Sequence, residues 1–106
     1  MNDRLKKLLE LLQESEKDAF ILFAVAKEYE KLNQLDLALN HYQRLYMFHP
    51  DYVGLYYHWG KLLEELDDAK KAIEIYKLGI DVSVKQNDKH AEKELRAAKY
   101  NSELLL

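Results

Sequence analysis

Apolar residues along this chain recur at helical spacing in six stretches, and short polar segments separate these stretches. In the first stretch Leu5, Leu8 and Leu12 fall on one face of a helix predicted over residues 3–14. The same periodicity predicts five further helices, over residues 19–32, 35–48, 53–66, 69–85 and 89–103. The pattern therefore predicts an all-α fold of about six helices.

Residues with known preferences for helix ends stand at the predicted boundaries. Asp18 and Asp88 are expected to cap the helices that follow them, because their side chains can accept a hydrogen bond from a free backbone N–H. Asn33 and Asp67 stand at equivalent helix ends, and Asn tolerates the left-handed conformation that ends many helices. Pro50 stops the third helix, because the residue before a proline is driven away from helical angles.

The chain also repeats itself with a period of 34 residues. Five residues of the first copy (Ala26, Tyr29, Leu32, Ala38 and Tyr42) recur in the second as Gly60, Leu63, Leu66, Ala72 and Tyr76. This period is typical of a helix–turn–helix unit that buries its apolar face only by stacking on neighbours. We therefore divide a single domain, 1–106, into an N-terminal helix (3–14), repeat 1 (19–52), repeat 2 (53–86) and a C-terminal capping helix (89–103).

Composition narrows the possible functions. Apolar residues make up 48% and charged residues 33%, a mixture typical of a globular protein. A net charge of −3 provides no basic field for nucleic acid, and no stretch is apolar enough to span a membrane. The absence of cysteine excludes disulfides and thiolate ligands and fits a reducing compartment, so we expect the protein in the cytoplasm.

The repeated residues resemble the tetratricopeptide repeat (TPR) family. Its pattern has an aliphatic–small pair and an aromatic in the first helix, then an alanine, an aromatic and a proline in the second. Repeat 1 reads Leu22, Val25, Ala26, Tyr29, Ala38, Tyr42 and Pro50. Repeat 2 reads Tyr56, Trp59, Gly60, Leu63, Ala72 and Tyr76, with Val84 in the place of the proline. The resemblance implies a right-handed α-solenoid of antiparallel helix pairs.

Small residues are expected where helices approach each other. Ala26 and Gly60 on the first helices, and Ala38 and Ala72 on the second helices, would allow close contact. The family usually has a further small alanine late in the second helix, where this chain has Leu45 and Gly79. We expect wider helix spacing at Leu45 and looser packing at Gly79.

The resemblance also implies that the first helix of each repeat lines a concave groove for a peptide or protein partner. The residues placed there are Phe20, Phe23, Lys27, Glu30, Tyr57, His58, Lys61 and Glu64. Aromatic side chains beside lysines suit a peptide with apolar anchors and a carboxylate. The alternative is that Phe20 and Phe23 pack beneath the N-terminal helix and the charges form a solvated face.

One specialisation of the family is not supported. Some members hold the C-terminal tail of a chaperone with a carboxylate clamp of lysine, arginine and asparagine. The corresponding positions here hold Phe23, Lys27, His58, Asp88 and Glu92. Acids replace two of the clamp's cations, so we do not expect a chaperone tail as the partner.

No residue pattern indicates catalysis, a metal or a cofactor. None of the three serines has the glycines of a nucleophile elbow around it, and there is no glycine-rich phosphate loop. His90 and Glu94 are one helical turn apart, but two potential ligands without a third are weak evidence for a metal.

Self-association is the second hypothesis for function. Leu104–Leu106 are apolar, and Tyr100 lies one turn before them. A repeat array with an uncovered apolar end can bury it against a second copy, which would give a homodimer. The alternative is a frayed C-terminal segment.

Overall fold

The computed structural model describes residues 2–106, which form six α-helices and no strand. The helices are α1 (Asp3–Glu14), α2 (Ala19–Lys31), α3 (Leu35–Phe48), α4 (Gly54–Glu65), α5 (Ala69–Lys85) and α6 (Lys89–Glu103). Only the ends of α2 and α4 differ from the predicted bounds, each by one residue, because Leu32 and Leu66 are C-caps and Val53 precedes α4. The all-α helical repeat predicted from the sequence is confirmed.

Three helix ends are built in the same way. Asn33, Asp67 and Asn87 adopt positive φ angles of 57°, 60° and 56°. The residue after each donates its backbone N–H to the carbonyl five residues earlier, at 2.9 Å in all three turns. This arrangement satisfies the free carbonyls at a helix end. The left-handed turn at Asn87 was not predicted.

The helices form two compact units, the first of which ends at Tyr52. In this unit α1 packs on α2, and α2 pairs with α3 as a helical hairpin. Its core contains Leu5, Leu8, Leu12, Leu22, Val25, Ala26, Tyr29, Ala38, Tyr42 and Leu45. The apolar stripes read from the sequence are therefore the buried faces.

The second unit comprises Val53–Leu106. Here α4 pairs with α5, and α6 packs on α5 and also contacts α4. The prediction of loose packing at Gly79 is wrong, since a Cβ added to Gly79 would lie 2.4 Å from the Cβ of Tyr56. Gly60 is equally confined, but its close neighbour is the ring of Tyr76, whose Cε1 would lie 2.1 Å from a Cβ added to Gly60. Both glycines make room for a tyrosine.

None of the helices in residues 2–106 is long and apolar enough to cross a membrane.

Candidate functional site

The residues predicted to bind a partner in repeat 1 follow one face of α2. Phe20 is 66% exposed. Phe23, one turn later, is half-buried, with its ring centroid 6.2 Å from that of Tyr42 and 5.6 Å from that of Tyr52. The alternative that both phenylalanines pack beneath α1 is therefore wrong for Phe20. Phe23 is held by aromatic side chains of its own unit.

The polar half of this face is an ordered group of three side chains. Lys27 Nζ lies 3.7 Å from a carboxylate oxygen of Glu30. The same carboxylate accepts a hydrogen bond from the hydroxyl of Tyr42, which is fully buried on α3. Glu30 is thus positioned from two sides.

The predicted residues of repeat 2 form a corresponding face on α4. The rings of Tyr57 and His58 meet edge to face at 5.5 Å, and Lys61 Nζ lies 5.9 Å from the Tyr57 ring centre. Lys61 Nζ is also 3.4 Å from Glu64 Oε1. The other oxygen of Glu64 accepts a 2.5 Å hydrogen bond from the hydroxyl of Tyr76. The Lys–Glu–Tyr arrangement of repeat 1 therefore recurs in repeat 2.

The two buried tyrosines stay protonated. Burial, together with the hydrogen bond to the neighbouring glutamate and its negative charge, raises the pKa of both Tyr42 and Tyr76 far above the ordinary value. Each tyrosine hydroxyl therefore donates a hydrogen bond, and one oxygen of each glutamate accepts it. The Tyr–Glu pairs were not predicted, although the 12-residue separation occurs identically in both repeats.

The N-terminal helix forms hydrogen bonds with Glu28 of α2. The sequence pattern did not indicate this contact. This buried carboxylate accepts a 2.7 Å hydrogen bond from Arg4 Nε and longer ones from Asn2 and Lys31. Burial alone would raise the pKa of Glu28, but the hydrogen bonds and the positive charge outweigh it and lower the pKa. Glu28 therefore ties α1 to α2.

Two of the residues compared with the carboxylate clamp, Asp88 and Glu92, form hydrogen bonds with groups of α6. The Asp88 side chain caps α6 by accepting from the backbone N–H of Ala91 at 3.0 Å. Glu92 accepts a 2.9 Å hydrogen bond from Arg96. His90 and Glu94 are both exposed, and no group of three histidine, aspartate or glutamate side chains with metal-site geometry occurs in residues 2–106.

The apolar segment considered for self-association is open to solvent. Tyr100, in the last turn of α6, and Leu104–Leu106, after its end, are all exposed. The buried face of that helix consists of Leu95, Ala98 and Ser102. The exposed apolar residues therefore lie outside the packed core.

Comparison with known proteins was made on sequence and on structure. No protein-family model matches the chain, and no curated protein matches it. The solution NMR structure of a tetratricopeptide repeat domain protein from Salinibacter ruber is similar at 40% identity, over 83% of this chain and 89% of that one, with a TM-score of 0.80. A crystal structure with the same description and organism matches at 39% identity, over 84% of this chain and 100% of that one, with a TM-score of 0.79. A Bordetella parapertussis protein is 24% identical over 96% of this chain and 89% of its own, with a TM-score of 0.81, a likeness of fold alone.

Proposed function

Because this chain belongs to the tetratricopeptide repeat family, we propose that it is a non-enzymatic protein-interaction module that presents the exposed faces of α2 and α4 to a peptide or protein. The observation that carries the proposal is the face of α2 on which exposed Phe20 and half-buried Phe23 precede the Lys27–Glu30 pair. Aromatic residues on one face bounded by charged side chains are typical of a binding surface.

The chemistry of the two faces suggests the class of partner. Phe20, Phe23 and Tyr57 offer aromatic surface for apolar side chains, and Lys27 and Lys61 offer positive charge. The lysines are paired with glutamates through long contacts, so a carboxylate of the partner can replace those contacts at small cost. We therefore favour an extended or helical peptide with apolar anchors and an acidic side chain. A chaperone tail is not favoured, since the clamp cations are absent.

The test is site-directed photo-crosslinking in the native cells. A photoreactive phenylalanine analogue at position 20 reports on the α2 face, and the same analogue at position 47 is the matched control. Met47, on α3, is 71% exposed, about as much as Phe20. The proposal expects one dominant crosslinked protein from position 20 that is missing from position 47.

Binding of the purified crosslinked protein is then measured with Phe20→Ser and Met47→Ser. Loss of binding in Phe20→Ser alone supports the α2 face as the binding surface. Equal binding by both variants contradicts it. Fractionation of the same cells tests the cytoplasmic location, which is part of this proposal.

Self-association is a second candidate, favoured by the exposure of Tyr100 and Leu104–Leu106. An apolar patch of this kind can be buried against a second copy. Light scattering over a hundredfold concentration range would reveal a dimer, and replacing Leu104–Leu106 by serines should return it to the monomer mass. A constant monomer mass at all concentrations would exclude this candidate.

A further inference from the structure

A groove in the first unit lies between α1 and α3, apart from the faces discussed above. Its volume is about 310 Å³. It is lined by Leu9, Leu12, Gln13, Glu16, His41 and Arg44. The leucines supply an apolar surface, and the α3 residues supply a polar wall. No residue of the proposed α2 and α4 faces contributes to it.

The polar wall is a histidine–arginine pair with a defined hydrogen-bond direction. His41 Nδ1 lies 2.8 Å from the carbonyl oxygen of Leu37, and His41 Nε2 lies 3.3 Å from Arg44 Nη1. A carbonyl only accepts and a guanidinium only donates, so Nδ1 carries the proton and Nε2 accepts. The ring is therefore neutral, in agreement with a pKa of His41 that burial lowers. It orients the guanidinium without adding charge.

The second repeat shows that the fold does not require this pair. The positions 34 residues later hold Ile75 and Leu78. Ile75 is 5% exposed and His41 is 6% exposed, so the two side chains are buried to the same degree. Burying a polar ring where an aliphatic side chain packs equally well costs free energy unless its hydrogen bonds compensate. The two hydrogen bonds of the ring offset this cost, and its centroid lies 5.3 Å from that of Tyr29, but repeat 2 shows that the helical hairpin forms without the pair.

Arg44 also differs from the other two arginines of the chain. Arg4 and Arg96 form ion pairs with Glu28 and Glu92, at 2.7 and 2.9 Å. Within residues 2–106 no carboxylate lies within ion-pair distance of Arg44, whose hydrogen bond goes to the neutral His41 ring. The guanidinium fork keeps donors that match a carboxylate.

We propose that this groove binds a protein segment in which an aliphatic side chain lies beside a carboxylate. The aliphatic group would contact Leu9 and Leu12, and the carboxylate would accept from Arg44. Glu16 on the same lining repels a second carboxylate, so the ligand binds in one direction. The site is independent of the α2 and α4 faces, and either can exist without the other.

The test uses two acetylated and amidated tetrapeptides, LLEL and LLQL, that differ only in the charge of one side chain. They are titrated into the ¹⁵N-labelled full chain and followed by NMR. LLEL is expected to shift the amides of residues 9, 12, 41 and 44 and to saturate. LLQL should bind about tenfold more weakly, because a hydrogen bond between charged groups is lost. Equal binding of the two peptides, or shifts confined to α2 and α4, would overturn the proposal.

The second repeat supplies the matched variant. His41→Ile with Arg44→Leu installs the residues of repeat 2 and is expected to keep the helical spectrum and melting temperature while reducing LLEL binding to the level of LLQL. Unchanged LLEL affinity in this variant would contradict the proposal. Arg44→Gln, a change at a half-exposed side chain, gives the same comparison if the double variant folds poorly. Lys77→Glu, at an exposed residue of α5 outside both proposed surfaces, should leave LLEL binding intact.

Discussion

The hydroxyl of Tyr76 donates a 2.5 Å hydrogen bond to Glu64, and this bond joins the two helices of one hairpin. Tyr42 and Glu30, 34 residues earlier, form the same bond in the other unit. In both cases a buried residue of the second helix orients a carboxylate on the exposed face of the first. The arrangement links the core of each repeat to its proposed binding face.

Tyr76→Phe should lower the free energy of unfolding by about 1.5–3 kcal/mol, the range for a hydrogen bond to a charged group. Chemical denaturation followed by circular dichroism measures this change. Tyr100→Phe is the control, because Tyr100 is exposed, and it should change stability by less than about 0.5 kcal/mol. Similar effects of the two substitutions would show that the Tyr76–Glu64 bond adds nothing to stability.

Gly60→Ala should destabilise the protein even though alanine favours helices by about 1 kcal/mol over glycine. The new methyl group would lie 2.1 Å from the buried ring of Tyr76. Overpacking of this kind costs about 1–3 kcal/mol, and Gly60→Leu should cost more. Gly54→Ala, at the exposed start of α4, is the control and should be neutral or stabilising. A melting temperature unchanged by Gly60→Ala would mean that Tyr76 moves aside freely.

Gln34→Asp should stabilise the protein by about 0.5–2 kcal/mol, the usual value of an N-cap. Gln34 precedes α3 without any side-chain capping bond, whereas Asp68 at the equivalent position caps α5 by accepting from the N–H of Lys71 at 3.1 Å. The two residues have similar backbone angles, with φ of −98° and −119° and ψ of 73° and 65°. Thermal unfolding should show a higher melting temperature for Gln34→Asp and a melting temperature lowered by a comparable amount for Asp68→Ala. A fall in both variants would contradict this account.

Helix number and bounds could be predicted because the governing signals are local. Apolar spacing, the Asp18 and Asp88 caps and the break before Pro50 act within one or two turns. Packing at the glycines could be predicted only in part, since a missing Cβ indicates a close neighbour without identifying it. Gly79 shows this, because the same small residue that suggested loose packing makes space for Tyr56.

The candidate site was less predictable than the fold. The exposed set on α2 follows from helical periodicity, but the Tyr42–Glu30 bond connects two helices whose rotation the sequence does not specify. Glu28 was missed because a charged residue in a helix is ordinarily solvated. Its burial depends on hydrogen bonds from Arg4 of α1 and from Asn2, the N-cap of that helix. The 34-residue repeat of Tyr and Glu was the one signal that could have revealed the first of these contacts.

Acid should weaken the protein partly through Glu28. The pKa of Glu28 is lowered in the folded state from its ordinary value of 4.5. Between the folded-state pKa and 4.5 the unfolded chain binds more protons than the folded protein. The stability that Glu28 contributes is therefore fully present above pH 4.5 and is lost as the pH falls through the folded-state pKa. Denaturation midpoints measured between pH 3 and about 6 should fall more steeply in the wild type than in Glu28→Gln. Arg4→Gln, which removes one donor, should raise the folded-state pKa of Glu28 and so lose less stability over this pH range than the wild type. Parallel curves for all three proteins would rule out this role for Glu28.

Lys61→Glu should weaken binding of an acidic partner, and the loss should be larger at low salt. Lys61 is about half-exposed, with 48% of its side chain accessible, and it lies beside Glu64 and the ring of Tyr57. Reversing its charge replaces attraction by repulsion, and salt screens exposed charges over about 10 Å at 0.1 M. The fold should survive, because an exposed charge change costs within about 0.5 kcal/mol.

Lys77→Glu on α5 is the control, since Lys77 is exposed and the change in net charge is the same. At low salt the dissociation constant of the crosslinked partner should therefore be higher for Lys61→Glu than for Lys77→Glu. At high salt the two dissociation constants should be similar. Equal weakening by both would mean that the partner senses the net charge of the protein and not the face of α4.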